Sequence, residues 1–147
     1  MKPSISFRNI WFDDDMVELN ITTHDGNSKF ENKVYAGYQL LKDILKSLNT
    51  FKNQVYGGIL NVELGEFGPE YANGAFYARL HFQERGKIYI SVKMQSNFFD
   101  FGKKNVASET FLYLISEPAL LDNFINEFKS LKDIGNSAVL ECVEINR

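Results

Sequence analysis

The segment from Gly74 to Gln95, GAFYARLHFQERGKIYISVKMQ, restricts the fold more than any other part of the chain. Its two arms alternate almost without error. Phe76, Ala78, Leu80 and Phe82 share one face, as do Ile88, Ile90, Val92 and Met94 on the return arm. Tyr77, Arg79, His81 and Gln83, with Tyr89, Ser91, Lys93 and Gln95, take the other face. A period of two marks a half-buried strand, and directly opposed residues must lie on the same side of a hairpin. A three-residue loop, Glu84-Arg85-Gly86, satisfies that rule. It pairs Phe82 with Ile88, Leu80 with Ile90, Ala78 with Val92 and Phe76 with Met94. It also sets Gly86 where a positive φ is wanted. A two-residue loop would set apolar against polar residues and is rejected.

The rest of the chain reads around this hairpin. Ser4 to Phe12 and Met16 to Thr23 are expected to form a first hairpin across the turn Asp13-Asp14-Asp15. Alternation puts Ile5 and Phe7 inward and runs on to Trp11. The turn signal His24-Asp25-Gly26-Asn27 leads to a third strand around Phe30 to Ala36. Tyr38, Leu41, Ile44, Leu45 and Leu48 then recur at helical spacing, which predicts a helix over 38–49. Ile59 to Leu64 is a short strand, followed by the glycine-rich loop GEFGPEYANG and the long hairpin. SNFFDFGKKN connects to a strand near 108–115. Ser116 as N-cap, Glu117 and Pro118 in the first turn and Gly135 as a stop bracket a second helix, striped by Leu121, Phe124, Ile125, Phe128 and Leu131. Ala138 to Ile145 is expected to close the chain as a strand covered on both faces. The order β-β-β-α-β-β-β-β-α-β implies one α+β domain over 1–147: a curved, mainly antiparallel sheet of about seven to eight strands, with both helices on its apolar face. A β-sandwich flanked by helices is the alternative.

Composition bounds the function. The chain has 147 residues, 44% hydrophobic and 24% charged, which is the composition of a globular domain. Its 13 Phe residues point to an aromatic core. A net charge of −3 and the lack of a Lys/Arg run argue against nucleic-acid binding through bulk electrostatics. The single cysteine, Cys142, permits no internal disulfide and suits a reducing compartment. Polar residues interrupt the N-terminal MKPSISFRNIWFDDD, and no apolar run approaches membrane-spanning length, so a cytoplasmic location is expected.

No set of residues converges on an obvious chemistry. His24 sits in a turn with no second ligand cluster at metal-binding spacing, so neither a metal nor a cofactor is expected. Cys142 lies in the apolar run VLECVEI and reads as a core residue. The glycine loop lacks phosphate-binding spacings and carries acids. The hairpin's polar face, with Arg79, His81, Tyr89 and Lys93, could stabilise an anion or move a proton. The plainer reading is a solvated face held by cross-strand pairs. What remain are contact surfaces: the acidic turn Asp13, Asp14 and Asp15; the loop residues Glu66, Glu70 and Tyr71; and Phe98, Phe99 and Phe101, which either anchor an interface or plug the core.

WFDDDMVELNI, YQLLKDILKSL, the hairpin segment and ISEPALLDNFINEFKSL together resemble bacterial immunity-type proteins of polymorphic toxin and contact-dependent growth-inhibition systems. The resemblance is one of pattern and spans about residues 5 to 133. It implies a non-enzymatic protein that binds one cognate toxin domain, with a basic nuclease among the candidates. It assigns no site residue. The rival expectation is a small-molecule-binding or hydrolytic domain that uses Arg79, His81, Tyr89 and Lys93.

Overall fold

The computed structural model describes residues 2–71 and 73–145; Ala72, in the glycine loop, lies outside them. The chain is α+β, in the order β1 (Ser4–Phe12), β2 (Met16–His24), β3 (Lys29–Gly37), α1 (Tyr38–Phe51), β4 (Ile59–Gly65), β5 (Asn73–Glu84), β6 (Lys87–Asn97), β7 (Phe99–Phe101), β8 (Lys104–Val106), β9 (Glu109–Ser116), α2 (Pro118–Phe128) and β10 (Ser137–Glu141). All pairings are antiparallel. Two four-stranded sheets result, β10-β1-β2-β3 and β4-β5-β6-β9, with β7-β8 as a separate ribbon. An isolated bridge links the two sheets, where the Val143 amide donates to the Ile115 carbonyl at 2.8 Å.

The long hairpin has the expected register from His81 outward: His81 opposes Tyr89, Leu80 opposes Ile90, Ala78 opposes Val92 and Phe76 opposes Met94. Its end differs. Glu84 pairs with Lys87, so the link is the two-residue Arg85-Gly86, which the alternation had argued against. A bulge between His81 and Glu84 takes up the extra residue, so that Phe82 and Gln83 together face Ile88. Phe82 and Ile88 therefore both stay buried, and Gly86 has the required φ of +77°.

A second bulge changes the phase of β1. Ile5, Phe7 and Asn9 point inward, but the register shifts between Asn9 and Trp11. Trp11 consequently opposes Glu18 and turns outward, 42% exposed, edge-on to Tyr35 at 6.1 Å. Its expected inward position does not hold. Asn9 is fully buried instead. Its amide donates to the Leu131 carbonyl at 3.1 Å, its side-chain oxygen accepts from the Trp11 amide, and its main chain bonds Asn136 and Gly135. These bonds fix the turn after α2 against β1.

α2 begins at Pro118 with Glu117 as N-cap, so Ser116 is not the cap. The Ser116 hydroxyl is buried and donates to the Glu141 carbonyl at 2.8 Å. β9 runs one residue further than periodicity suggests, and its final side chain serves the neighbouring strand. The last strand stops at Glu141, with Cys142 buried after it and Val143 in the bridge. The connector 96–105 is also more ordered than expected, since β7 and β8 form a ribbon inside it.

One core joins these elements. Phe7 meets Phe76 of β5 edge-on at 5.2 Å, Phe124 of α2 at 5.7 Å and Phe128 of α2 at 6.3 Å. Phe51 of α1 stacks on Phe82 of β5 at 4.8 Å. β3 approaches the second sheet closely enough that a Cβ at Gly74, whose φ is +87°, would collide with the Lys33 carbonyl. There Asn32 donates its side-chain amide to the carbonyls of Gln95 at 2.6 Å and Ala75 at 3.3 Å.

Phe7→Ala should lower unfolding free energy by about 3–5 kcal/mol, as expected for a buried aromatic left as a cavity. Trp11→Ala should cost well under half of that. Urea titration followed by far-UV circular dichroism measures both.

Candidate functional site

The outer face of the second sheet is built from three cross-strand rows. They run Ile59-His81-Tyr89-Ile115, Asn61-Arg79-Ser91-Tyr113 and Glu63-Tyr77-Lys93-Phe111. The four residues of the expected polar site therefore share one face, but Arg79, Tyr89 and Lys93 are each engaged with a different neighbour. The Arg79 Nε donates to Asn61 Oδ1 at 3.1 Å, and the Tyr77 hydroxyl donates to the same oxygen at 2.7 Å. The Tyr89 hydroxyl donates to Glu84 Oε1 at 2.9 Å, and that bond raises the phenol's pKa. Tyr89 is thus held as a neutral donor. Lys93 Nζ lies 4.3 Å from the centre of the Phe67 ring and 5.7 Å from that of Phe111, within cation–π range. Among the described residues the His81 side chain makes no hydrogen bond, so no nucleophile–base pair forms on this face.

At the Lys93 end the flat face becomes a corner. The loop after β4 folds over it, and an open cleft of about 360 Å³ lies between Glu63, Glu66, Phe67, Tyr77 and Lys93. Gln95 holds the loop down. Alternation had left Gln95 on the solvent side, but it is buried, its Oε1 accepting from the Gly68 amide at 2.7 Å and its Nε2 donating to Glu109 at 3.0 Å. Phe98 lies against Gly68 so closely that a Cβ there would run into its ring. Phe98 is therefore packed under the loop, whereas Phe99 and Phe101 are exposed by 47% and 69%. The latter two alternate around Asp100 on β7 and share one side of the ribbon, whose other strand carries Lys104. Tyr71, at 59%, and Phe111, at 60%, are exposed beside them. Glu66 and Glu70 are exposed on the same loop.

Three stretches that are separate in sequence meet here: the glycine loop, the phenylalanine segment and the far end of the polar hairpin face. Sequence reasoning missed Phe67, Gln95 and Phe111. The alternation of β9 did carry a signal for Phe111, because Leu112 and Leu114 face inward and leave residues 111 and 113 outward.

The acidic turn belongs to the other sheet. Asp13 Oδ1 accepts from the amides of Asp15 at 2.8 Å and Met16 at 2.9 Å, and the Asp13 carbonyl accepts from the Tyr38 hydroxyl at 2.8 Å. Asp13 thus shapes the turn and seats the start of α1, while Asp14 and Asp15 are exposed. Toward the other end of that sheet Glu31 accepts from Asn20 at 3.0 Å and Thr22 at 2.9 Å, and these bonds lower its pKa.

His24 is buried, its Nδ1 accepting from the Gly26 amide at 3.1 Å, so it serves its turn. Among the described residues no group of three or more His, Cys, Asp or Glu could hold a metal ion, and no helix is long and apolar enough to cross a membrane. Burial pushes the Cys142 thiol up to about 12. Comparison with known proteins finds no matching family model, curated protein or solved structure.

A disulfide reagent at pH 8 should label Cys142 at least ~100-fold more slowly in the folded protein than in urea, because the reactive thiolate is suppressed. The raised value also sets a sign. Above the ordinary thiol value of 9.0 the unfolded chain gives up this proton first, so stability should fall with pH between 9.0 and about 12 and show no effect of this group below 9.0. Chemical denaturation across that range reads it.

Proposed function

We propose that the protein is a non-enzymatic binding module that recognises another protein through the corner of the second sheet. The observation that carries this reading is the exposure of Tyr71, Phe99 and Phe101 on segments held in place by Gln95 and by Phe98 against Gly68. Large aromatic groups are favoured interface anchors, and a surface that is ordered before contact loses less entropy on binding. The rim carries both signs, with Glu66 and Glu70 on the loop and Lys103 and Lys104 on the ribbon. Glu66 and Glu70 suit a basic partner, and acidic rims speed the approach of one. The partner fitting the pattern-level resemblance is a cognate toxin domain that the module would neutralise by occupancy, as an immunity protein does.

The alternative, small-molecule binding or hydrolysis on the hairpin face, draws less support. Arg79, Tyr89 and Lys93 are each tied to a different neighbour, and the cleft at this end contains Lys93 but not His81.

Co-expression with the product of the adjacent upstream reading frame tests the proposal. A stable complex and protection of cells from that product are expected. Tyr71→Ala and Phe101→Asp should each weaken the complex at least ~10-fold by calorimetry without altering the melting temperature, since both side chains are solvent-facing anchors. Absence of a complex and of protection would sink the toxin assignment. Complex formation indifferent to both substitutions would move the interface elsewhere.

A further inference from the structure

Two of the outer strands, β10 and β4, differ at their free edges. On β10 two of the outward groups are occupied: the Val139 amide donates to Glu127 Oε1 at 2.9 Å, and the Glu141 carbonyl accepts from the Ser116 hydroxyl. Side chains that occupy an edge's main-chain groups oppose the addition of another strand. β4 has no such closure. The Gly58 carbonyl accepts from the Phe82 amide, and the register continues with Leu60 opposite Leu80 and Val62 opposite Ala78. Antiparallel ladders alternate, so the even-numbered residues bond β5 and the main-chain groups of Ile59, Asn61 and Glu63 point away from the sheet. Among the described residues no hydrogen bond reaches them.

A groove runs beside that edge. Two clefts, of about 360 Å³ and about 260 Å³, lie between β4 and α1 and share Ser47 and Leu60. Their apolar walls are supplied by Leu40, Ile44, Leu60 and Val62. α1 runs opposite to β4, so Asp43 lines the groove at the Glu63 end and Lys46 lines it at the Ile59 end. None of these three charged groups has an ion-pair partner among the described residues, where the pairs are Lys2–Glu141 and Lys87–Glu84.

We propose that β4 and α1 form a receptor groove for an extended peptide segment of another protein. The segment adds to the sheet antiparallel to β4, exchanging main-chain hydrogen bonds with Ile59, Asn61 and Glu63. Small apolar side chains at alternate positions fill the groove against Leu40, Ile44 and Val62. A cationic residue at its N-terminal end meets Asp43 and Glu63, and an acidic residue at its C-terminal end meets Lys46. Strand addition of this kind draws affinity from the main chain and selectivity from the alternate side chains. The charges select the direction, because a parallel segment with the same termini would place like charges together. The groove is separate from the corner proposed above and shares only Glu63 with it.

The probe is a labelled seven-residue peptide alternating valine and threonine, with lysine at its N-terminus and glutamate at its C-terminus. Saturable binding is expected by fluorescence anisotropy. Amide exchange at Ile59, Asn61 and Glu63 should slow at least ~10-fold with peptide, while Leu60 and Val62, already bonded to β5, should be unchanged. Methylating the peptide's alternate amide nitrogens, or filling the groove by Ser47→Trp on the exposed side of α1, should weaken binding at least ~10-fold. Any of four results overturns the proposal: no binding at millimolar peptide, equal binding of the methylated peptide, indifference to Ser47→Trp in a variant of unchanged melting temperature, or protection of the three amides in a concentration-dependent dimer without peptide, which would assign the edge to a second copy.

Discussion

The contact of Phe7 with Phe76, Phe124 and Phe128 is the point on which the architecture depends. It joins β1 of the first sheet, β5 of the second and α2 in one aromatic cluster. Each sheet is only four strands wide, and a sheet of that width needs a second layer over its apolar face. The aromatic cluster supplies the adhesion, while directional bonds set the geometry. Asn32 reaches from β3 to the main chain of β5 and β6, Asn9 anchors the turn after α2, and the Val143–Ile115 bridge aligns the sheet ends. Asn9 is fully satisfied where it is buried, its amide donating to the Leu131 carbonyl and its oxygen accepting from the Trp11 amide. Asn32, by contrast, donates to two carbonyls and leaves its own Oδ1 buried without a partner among the described residues.

The candidate corner follows from that frame. With the inner face of the second sheet committed to the core, its outer face and the loops at its end are available for contact. Gln95 and Phe98 spend their side chains on positioning the glycine loop, which leaves Tyr71, Phe99 and Phe101 exposed on a constrained backbone. The same division appears at the acidic turn, where Asp13 is consumed by turn hydrogen bonds while its two neighbours face solvent. A short run of similar residues thus splits into supporting and outward members according to which of them the backbone needs.

The central hairpin was readable from the chain because each of its arms is long and buried on one face, so that alternation and the register rule reinforce each other. α1 and α2 were readable for the equivalent reason at helical period. The structure departs from that periodicity where one residue alters a phase. The bulge near Ile10 turns Trp11 outward, and the bulge at Phe82 and Gln83 reconciles a two-residue link with apolar pairing. Ser116 looked like a cap because it precedes Glu-Pro, yet a strand from far along the chain offered its hydroxyl a carbonyl. Nothing in the alternation marked Gln95 as buried, since the loop that covers it lies 27 residues away.

What the sequence determined by itself was therefore local: which segments are strands or helices, which side of each is apolar, and that the domain is α+β. These follow from backbone periodicity matched to hydrophobic spacing, a relation contained within a dozen residues. Tertiary structure alone decided that the strands divide into two bridged sheets, that three distant segments meet at one corner, and that side chains occupy part of the β10 edge while β4 leaves one open. Those outcomes depend on hydrogen bonds and ring contacts between residues far apart in the chain, where spacing carries no information about which groups will meet.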